Sequence, residues 1–82
     1  MEQEQYDRQV EKLRDLMKND DELIRLRGNI RRSAEAKMKN GTLSVTEMLR
    51  EVTAENQARQ TKVLHEIELL QALYDLQNVT NN

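Results

Sequence analysis

A single turn signal divides this chain, which has 82 residues and contains no proline. Asn40-Gly41 suits the end of a helix, because both residue types tolerate a left-handed backbone conformation. Ser44 then stands as an N-cap with Glu47 three residues later, which is the spacing of a capping box. The sequence therefore predicts an all-α fold, a long antiparallel hairpin of two coiled-coil-like helices. The expected bounds within one domain, 1–82, are a helix over about 3–38, a tip turn over 39–43 and a helix over about 44–78.

The spacing of apolar residues predicts which faces of the two helices meet. In the first helix, apolar residues recur at steps of three and four from Tyr6 to Met17, and the stripe resumes about one residue out of phase at Leu23. Either one helix with a local defect or two helices meeting near Asn19 would fit, and we favour one helix. In the second helix an apolar stripe continues to Tyr74 with two amides in its middle. The predicted hairpin seam consists of Leu13, Met17, Ile30, Leu49, Val52, Val63, Ile67, Leu70 and Tyr74.

More apolar surface flanks this stripe than a seam between two helices needs. Further apolar residues widen the apolar surface of the second helix at both of its ends, so we expect a second contact surface towards other helices. These residues are Val45, Met48, Leu64, Leu69, Leu73, Leu76 and Val79.

Charge and composition restrict the chemistry of the chain. Thirteen basic and 15 acidic residues leave a net charge of −2, which gives no electrostatic reason to bind nucleic acid or an anionic membrane surface. With no cysteine and one histidine, the chain cannot build a thiolate metal site or a nucleophile arrangement. We therefore expect no enzymatic activity, no cofactor and no metal. His65 is expected to be solvated, the acidic run 20–22 to be a cap or a solvated cluster, and the arginines between 25 and 32 to form ion pairs between helices or subunits.

The second half of the chain carries a motif in a definite order. The run Met38-Lys39-Asn40-Gly41-Thr42 is followed by Leu49, eight residues after the glycine, then by an alanine-containing stretch over 54–60 and a Leu- and Tyr-containing stretch over 69–76. In this order the features resemble the C-terminal helical repeat of TolC-like outer-membrane efflux and secretion channels, without gaps over about half of the chain.

The resemblance implies a fold and a function. The chain would be a fragment of a larger protein, the tip-forming periplasmic hairpin of a channel in the outer membrane of a Gram-negative bacterium. Three protomers would form one α-helical barrel, a homotrimer. The tip would dock a periplasmic adaptor protein and so connect indirectly to an inner-membrane pump, while membrane contact would come only from parts outside this sequence. The residues implied for docking are Met38, Asn40, Gly41, Thr42 and Leu43.

Two positions depart from the family pattern. Met38 stands where the family carries an aromatic residue, and Leu43 stands where some members carry a basic residue. Both positions belong to tip networks that keep some channels closed, so the resemblance does not extend to a gate of that kind. An alternative from another class fits the same hairpin: a free-standing soluble coiled-coil adaptor or regulator that dimerises. The capping box and the seam belong equally to both.

Overall fold

Two α-helices form the protein. The computed structural model describes residues 2–81, with side chains for 3–80, and consists of α1 (Glu2–Lys39) and α2 (Val45–Asn81). A short turn returns the chain, so the helices pack along each other as a rod of 63 × 15 × 13 Å. No β-strand occurs within residues 2–81. The expected all-α hairpin is confirmed, and α2 continues to Asn81 rather than ending near residue 78.

The turn that ends α1 is closed by two backbone hydrogen bonds. The amide of Thr42 donates to the carbonyl of Lys37 at 2.9 Å, and the amide of Gly41 donates to the carbonyl of Met38 at 3.0 Å. Gly41 has a φ of +78°, a conformation that costs an L-residue with a side chain about 1–2 kcal/mol. This pair of bonds is the Schellman arrangement, and it explains why the helix ends at this glycine.

A reciprocal pair of hydrogen bonds begins α2. The amide of Glu47 donates to Ser44 Oγ at 3.1 Å, and the amide of Ser44 donates to Glu47 Oε2 at 3.2 Å. These bonds satisfy backbone N–H groups that have no partner inside the first helical turn. The capping box expected from the sequence is confirmed, and only a few residues separate it from the end of α1.

The seam side of α1 keeps one phase along its whole length. The residues facing α2 recur at alternating steps of four and three, and all of them are buried or half-buried. They are Tyr6, Val10, Leu13, Met17, Asp20, Ile24, Arg27, Arg31, Ala34 and Met38. The interpretation as one helix is confirmed, but the expected phase shift near Asn19 is wrong, because Asp20 occupies the seam whereas Leu23 and Leu26 are exposed.

The seam side of α2 differs from the one expected. Leu13, Met17, Ile30 and Val52 are buried or half-buried as the predicted seam requires. The predicted seam is wrong at the five remaining positions, each of which is more than half exposed: Leu49, Val63, Ile67, Leu70 and Tyr74. The residues of α2 that face α1 instead are Met48, Glu51, Glu55, Ala58, Lys62, His65, Leu69, Ala72, Leu76 and Val79.

The charges of α1 explain this choice of face. Asp20 and Arg31 lie in the seam, and a charge removed from water needs an opposite charge or hydrogen-bond partner. The face of α2 that packs on α1 supplies these partners, His65 for Asp20 and Glu55 for Arg31. The small side chain of Ala58 lies on the same face and is buried. The face of α2 that is less apolar is therefore the one that pairs.

Apolar packing is concentrated towards the two ends of the rod. At the open end, Val10, Leu13 and Ala72 are buried and form a cluster. Leu16, Leu69 and Leu73 pack against this cluster. Towards the tip, Ala34 is buried and Met48 is half-buried. The middle of the seam is occupied mainly by charged side chains.

Candidate functional site

The tip turn presents a small and open surface. Asn40, Gly41 and Thr42 are exposed, whereas Met38 and Leu43 are half-buried beneath them. A Cβ atom added to Gly41 would meet nothing within 4 Å, so an approaching backbone meets no side chain there. The hydroxyl of Thr42 donates to the carbonyl of Lys37 at 3.0 Å, which commits its proton to the turn. An external group can therefore only donate to this hydroxyl.

A groove of about 430 Å³ runs between the helices beside the tip. Ile30, Ala34 and Leu43 give it apolar lining, and Lys37 and Glu51 add charge of both signs. The Oε2 atom of Glu51 is buried and has no hydrogen-bond partner among residues 3–80. Because this atom is closed to solvent, a donor from outside could reach it only if the Glu51 side chain turned outwards into the groove.

An exposed apolar stripe runs along α2 on the side away from the seam. We call it the outer stripe and define it by the five exposed residues that sequence spacing assigned to the seam: Leu49, Val63, Ile67, Leu70 and Tyr74. Val45 and Leu64 are exposed beside it. Gln60, Val63 and Ile67 line a shallow depression on this side. The stripe is continuous from Val63 to Tyr74, whereas the exposed amides of Asn56 and Gln60 separate this part from Leu49. Exposed apolar surface of this kind is typical of an interface.

Ionic contacts between the helices occupy the middle of the seam. We call the residues that make these contacts the polar centre, and they are Asp20, Asp21, Arg31, Glu55, Lys62 and His65. In its tip-side half, Arg31 Nε donates to Glu55 Oε1 at 2.7 Å and Arg31 Nη1 donates to Glu35 Oε1 at 2.7 Å. These hydrogen bonds, first that to Glu35 and then that to Glu55, raise the pKa of Arg31 above its ordinary value. The guanidinium thus joins the two helices as a permanent cation.

Gly28 makes room for the buried carboxylate of this pair. Glu55 is 7% exposed, and a Cβ atom at Gly28 would lie 2.8 Å from its Oε2 atom. Since real Cβ atoms are essentially never found so close to another heavy atom, a side chain here would push the carboxylate away from its present position. The glycine inside α1, unfavourable for a helix by about 1 kcal/mol relative to Ala, is explained by this close approach.

The open-end half of the polar centre pairs two neighbouring aspartates with two residues of α2. His65 Nδ1 lies 2.5 Å from Asp20 Oδ2, and Lys62 Nζ lies 2.6 Å from Asp21 Oδ1. The hydrogen bond from Lys62 to Asp21 raises the pKa of that lysine. The expectation of a solvated His65 is wrong, because its side chain is only 18% exposed. Asp20 is likewise buried rather than solvated.

The arginine group between residues 25 and 32 contributes one contact between the helices. Among the side chains of residues 3–80, Arg31 alone of this group forms an ion pair with α2. Arg32 instead donates to Asn29 within α1. The expected ion pairing between helices is thus confirmed for Arg31 only.

A metal site and a membrane-spanning segment are both absent from residues 2–81. In the part of the chain that the structure describes, no group of three or more His, Asp or Glu side chains could hold a metal ion. Within residues 2–81, neither helix has an apolar stretch that would cross a membrane. Comparison with known proteins finds no match to the chain among protein-family models, curated proteins or solved structures.

Proposed function

We propose that this chain is the tip-forming periplasmic hairpin of an outer-membrane efflux channel. The observation that carries the proposal is the outer stripe, because it leaves α2 with contact surfaces on two opposite sides. A helix needs two such sides when it stands in a wall of helices, with neighbours to its left and right. The resemblance of the second half of the chain to TolC-like channels supports the same assignment.

The proposed mechanism is passive and needs no catalytic group. The outer stripe packs on neighbouring helices of a trimeric barrel, and the hairpin forms part of the conduit wall. At the tip, Gly41 lets the backbone of a periplasmic adaptor approach closely, since no side chain covers it. The groove beside the tip receives an adaptor side chain, towards which the Glu51 side chain turns so that its Oε2 atom, buried and without a partner among residues 3–80, accepts a hydrogen bond.

The rival function, a soluble coiled-coil adaptor, uses the same surface differently. In that case the outer stripe would be buried in a second copy of the chain, and the protein would act as a dimer. The two functions predict a different molecular mass and a different cellular location for the native protein. An antibody raised against residues 1–82 tests this on fractionated native cells. A band several times larger than 9.7 kDa in the outer-membrane fraction supports the channel, and a soluble band near that mass supports the adaptor.

Docking at the tip is tested by two substitutions at Gly41 in the native full-length protein. Gly41→Ala introduces the cost of a positive φ without bulk, whereas Gly41→Trp adds the same cost and a large side chain above the turn. We expect drug efflux and adaptor cross-linking to be retained with Ala and lost with Trp, with helicity unchanged in both. Efflux that is unchanged in the Trp variant would contradict docking at the tip, and equal loss in both variants would trace the defect to the turn itself.

A further inference from the structure

Asn40 and Gly41 form the only Asn-Gly step of the chain, and both residues are exposed at the tip. In such a step the backbone nitrogen of the glycine can attack the side-chain amide of the asparagine, because glycine has no side chain to hinder the approach. A Cβ atom added to Gly41 would meet nothing within 4 Å, so no neighbouring group covers the step. The tip therefore holds the two reacting groups of a spontaneous deamidation.

The reaction consumes only water. The backbone nitrogen of Gly41 gives up its proton and bonds to Cγ of Asn40, and the side-chain nitrogen takes up that proton and leaves as ammonia. The product is a succinimide ring. Water then opens the ring at either of its two carbonyl groups, which gives aspartate or isoaspartate and restores the N–H of Gly41. In both products an OH group replaces the NH2 group of the asparagine.

The folded turn withholds the attacking nitrogen. The N–H of Gly41 donates to the carbonyl of Met38 at 3.0 Å, so its proton is not available to a base in solution. The amide of Asn40 donates to the carbonyl of Ala36 at 3.1 Å, which is the spacing of a helical hydrogen bond and holds the asparagine in the last turn of α1. Attack on Cγ therefore requires that the bond from Gly41 to Met38 is broken first.

We propose that Asn40 is a deamidation site that the tip turn gates, so that the reaction proceeds only in those molecules in which the turn is open. Helix ends and turns open locally at free energies below that of global unfolding. Asn40 is therefore protected in the closed hairpin and reacts each time the turn opens for long enough. This inference stands independently of the proposed channel.

One of the two products cannot return to the native turn. In isoaspartate the main chain runs through the former side chain and is longer by one methylene group. The amide of Thr42 is then out of place for the carbonyl of Lys37, which it reaches at 2.9 Å in the native turn. Aspartate leaves the main chain unchanged, and basic residues in the last turn of α1, Lys37 and Lys39, are close enough in sequence to offset its charge.

Mass spectrometry of peptides from the 82-residue chain, incubated in mild alkali either folded or unfolded in urea, tests the gate. We expect Asn40 to be the fastest-reacting asparagine in urea. In the folded chain its conversion should be at least about tenfold slower, which corresponds to a turn that is open in fewer than about a tenth of the molecules. Equal rates at Asn40 in both conditions would overturn the gate, and an unreactive Asn40 in urea would overturn the site itself.

A matched pair of substitutions separates opening of the turn from unfolding of the hairpin. The hydroxyl of Thr42 donates to the carbonyl of Lys37 at 3.0 Å, and the hydroxyl of Thr61 donates to that of Gln57 at 3.0 Å in the middle of α2. Thr42→Val should raise the folded-state rate at Asn40 about two- to tenfold through loss of a neutral hydrogen bond. Thr61→Val should leave it unchanged, and neither variant should alter the rate in urea. No increase with Thr42→Val, or an equal increase with Thr61→Val, would overturn gating by the turn.

Hydrogen exchange at the amide of Thr42 distinguishes the two products. Asn40→Asp supplies the charge of the new carboxylate without lengthening the main chain, so its Thr42 amide should exchange about as slowly as in the native chain. In the purified isoaspartyl product the same amide should exchange at least about tenfold faster, because its hydrogen bond to Lys37 is lost. Slow exchange in the isoaspartyl product would contradict a turn that stays open after the reaction.

Discussion

Truncation of Leu13 tests which faces of the helices are buried against each other. Leu13 is 4% exposed and belongs to the apolar cluster at the open end. Leu13→Ala removes the equivalent of three methylene groups at about 0.8 kcal/mol each, or about 2.4 kcal/mol. Buried leucines lose about 2–5 kcal/mol in such truncations, and the rod is only two helices thick, so the lower end of that range applies. For a chain of this size the Tm should fall by roughly 10 °C or more.

Leu70→Ala is the matched control, because it makes the same chemical change on the outer stripe. Leu70 is 67% exposed, so only about a third of the side chain is lost from packing, which corresponds to about 0.8 kcal/mol. Leu69, its neighbour in sequence, packs against the cluster of Leu13. Leu69→Ala should therefore lower the free energy of unfolding about as much as Leu13→Ala. The free energy of unfolding is measured by far-ultraviolet circular dichroism during denaturation with urea and during heating.

The measurement is made on dilute protein, because association through the outer stripe would add stability that depends on concentration. The expected order of destabilisation is Leu13→Ala above Leu70→Ala by about 1.6 kcal/mol, the difference in buried methylene groups. If Leu70→Ala costs as much as Leu13→Ala in a dilute monomer, the outer stripe packs against α1. The seam described above would then be refuted.

Three further expectations concern single contacts. Arg31→Met should destabilise the hairpin more than Arg32→Met in urea titrations, because Arg31, unlike Arg32, pairs with the buried Glu55 at 2.7 Å. Equal effects would mean that this ion pair is not formed. Ser44→Ala should lower the free energy of unfolding by about 1 kcal/mol through loss of the N-cap, whereas Ser44→Asp should leave it unchanged because aspartate caps a helix about as well as serine. Thermal unfolding of the two variants measures this difference. The pKa of Lys62 is raised in the folded protein. The contribution of its charge to the free energy of unfolding is therefore complete below about pH 10.4, the ordinary lysine value, and is lost as the pH rises above that value. Stability of Lys62→Met should therefore fall less between neutral and strongly alkaline pH than that of the native chain, and an identical fall would contradict the contact with Asp21.

Local signals in the sequence were enough to predict the helices and the turn. Asn40-Gly41 and the spacing of Ser44 and Glu47 act within a few residues of each other, so they can be recognised without knowledge of the rest of the fold. The long uninterrupted α1 also follows from the absence of proline. These elements need no information about which residues meet across the hairpin.

The face of α2 that packs on α1 could not be predicted from apolar periodicity. That helix carries apolar residues on more than one side, and the side that pairs is chosen by charges on α1. The deciding contacts join residues 24 and 45 positions apart, Arg31 with Glu55 and Asp20 with His65. A signal was present in the spacing, since Asp20 follows Leu13 by one heptad. It is visible only when polar residues are admitted as seam positions.

The compact tip turn also sets the order in which the hairpin folds. Contacts close to the tip enclose few residues and close first, and each later contact lengthens the enclosed chain only slightly, at a small additional entropic cost. We therefore expect the helices to zip together from the tip towards the open end, so that the cluster of Val10 and Ala72 forms late. Damage to the turn should accordingly slow folding, and loosening of the open-end cluster should chiefly speed unfolding. The rod thus has a rapidly formed end and an end that determines how long it stays closed.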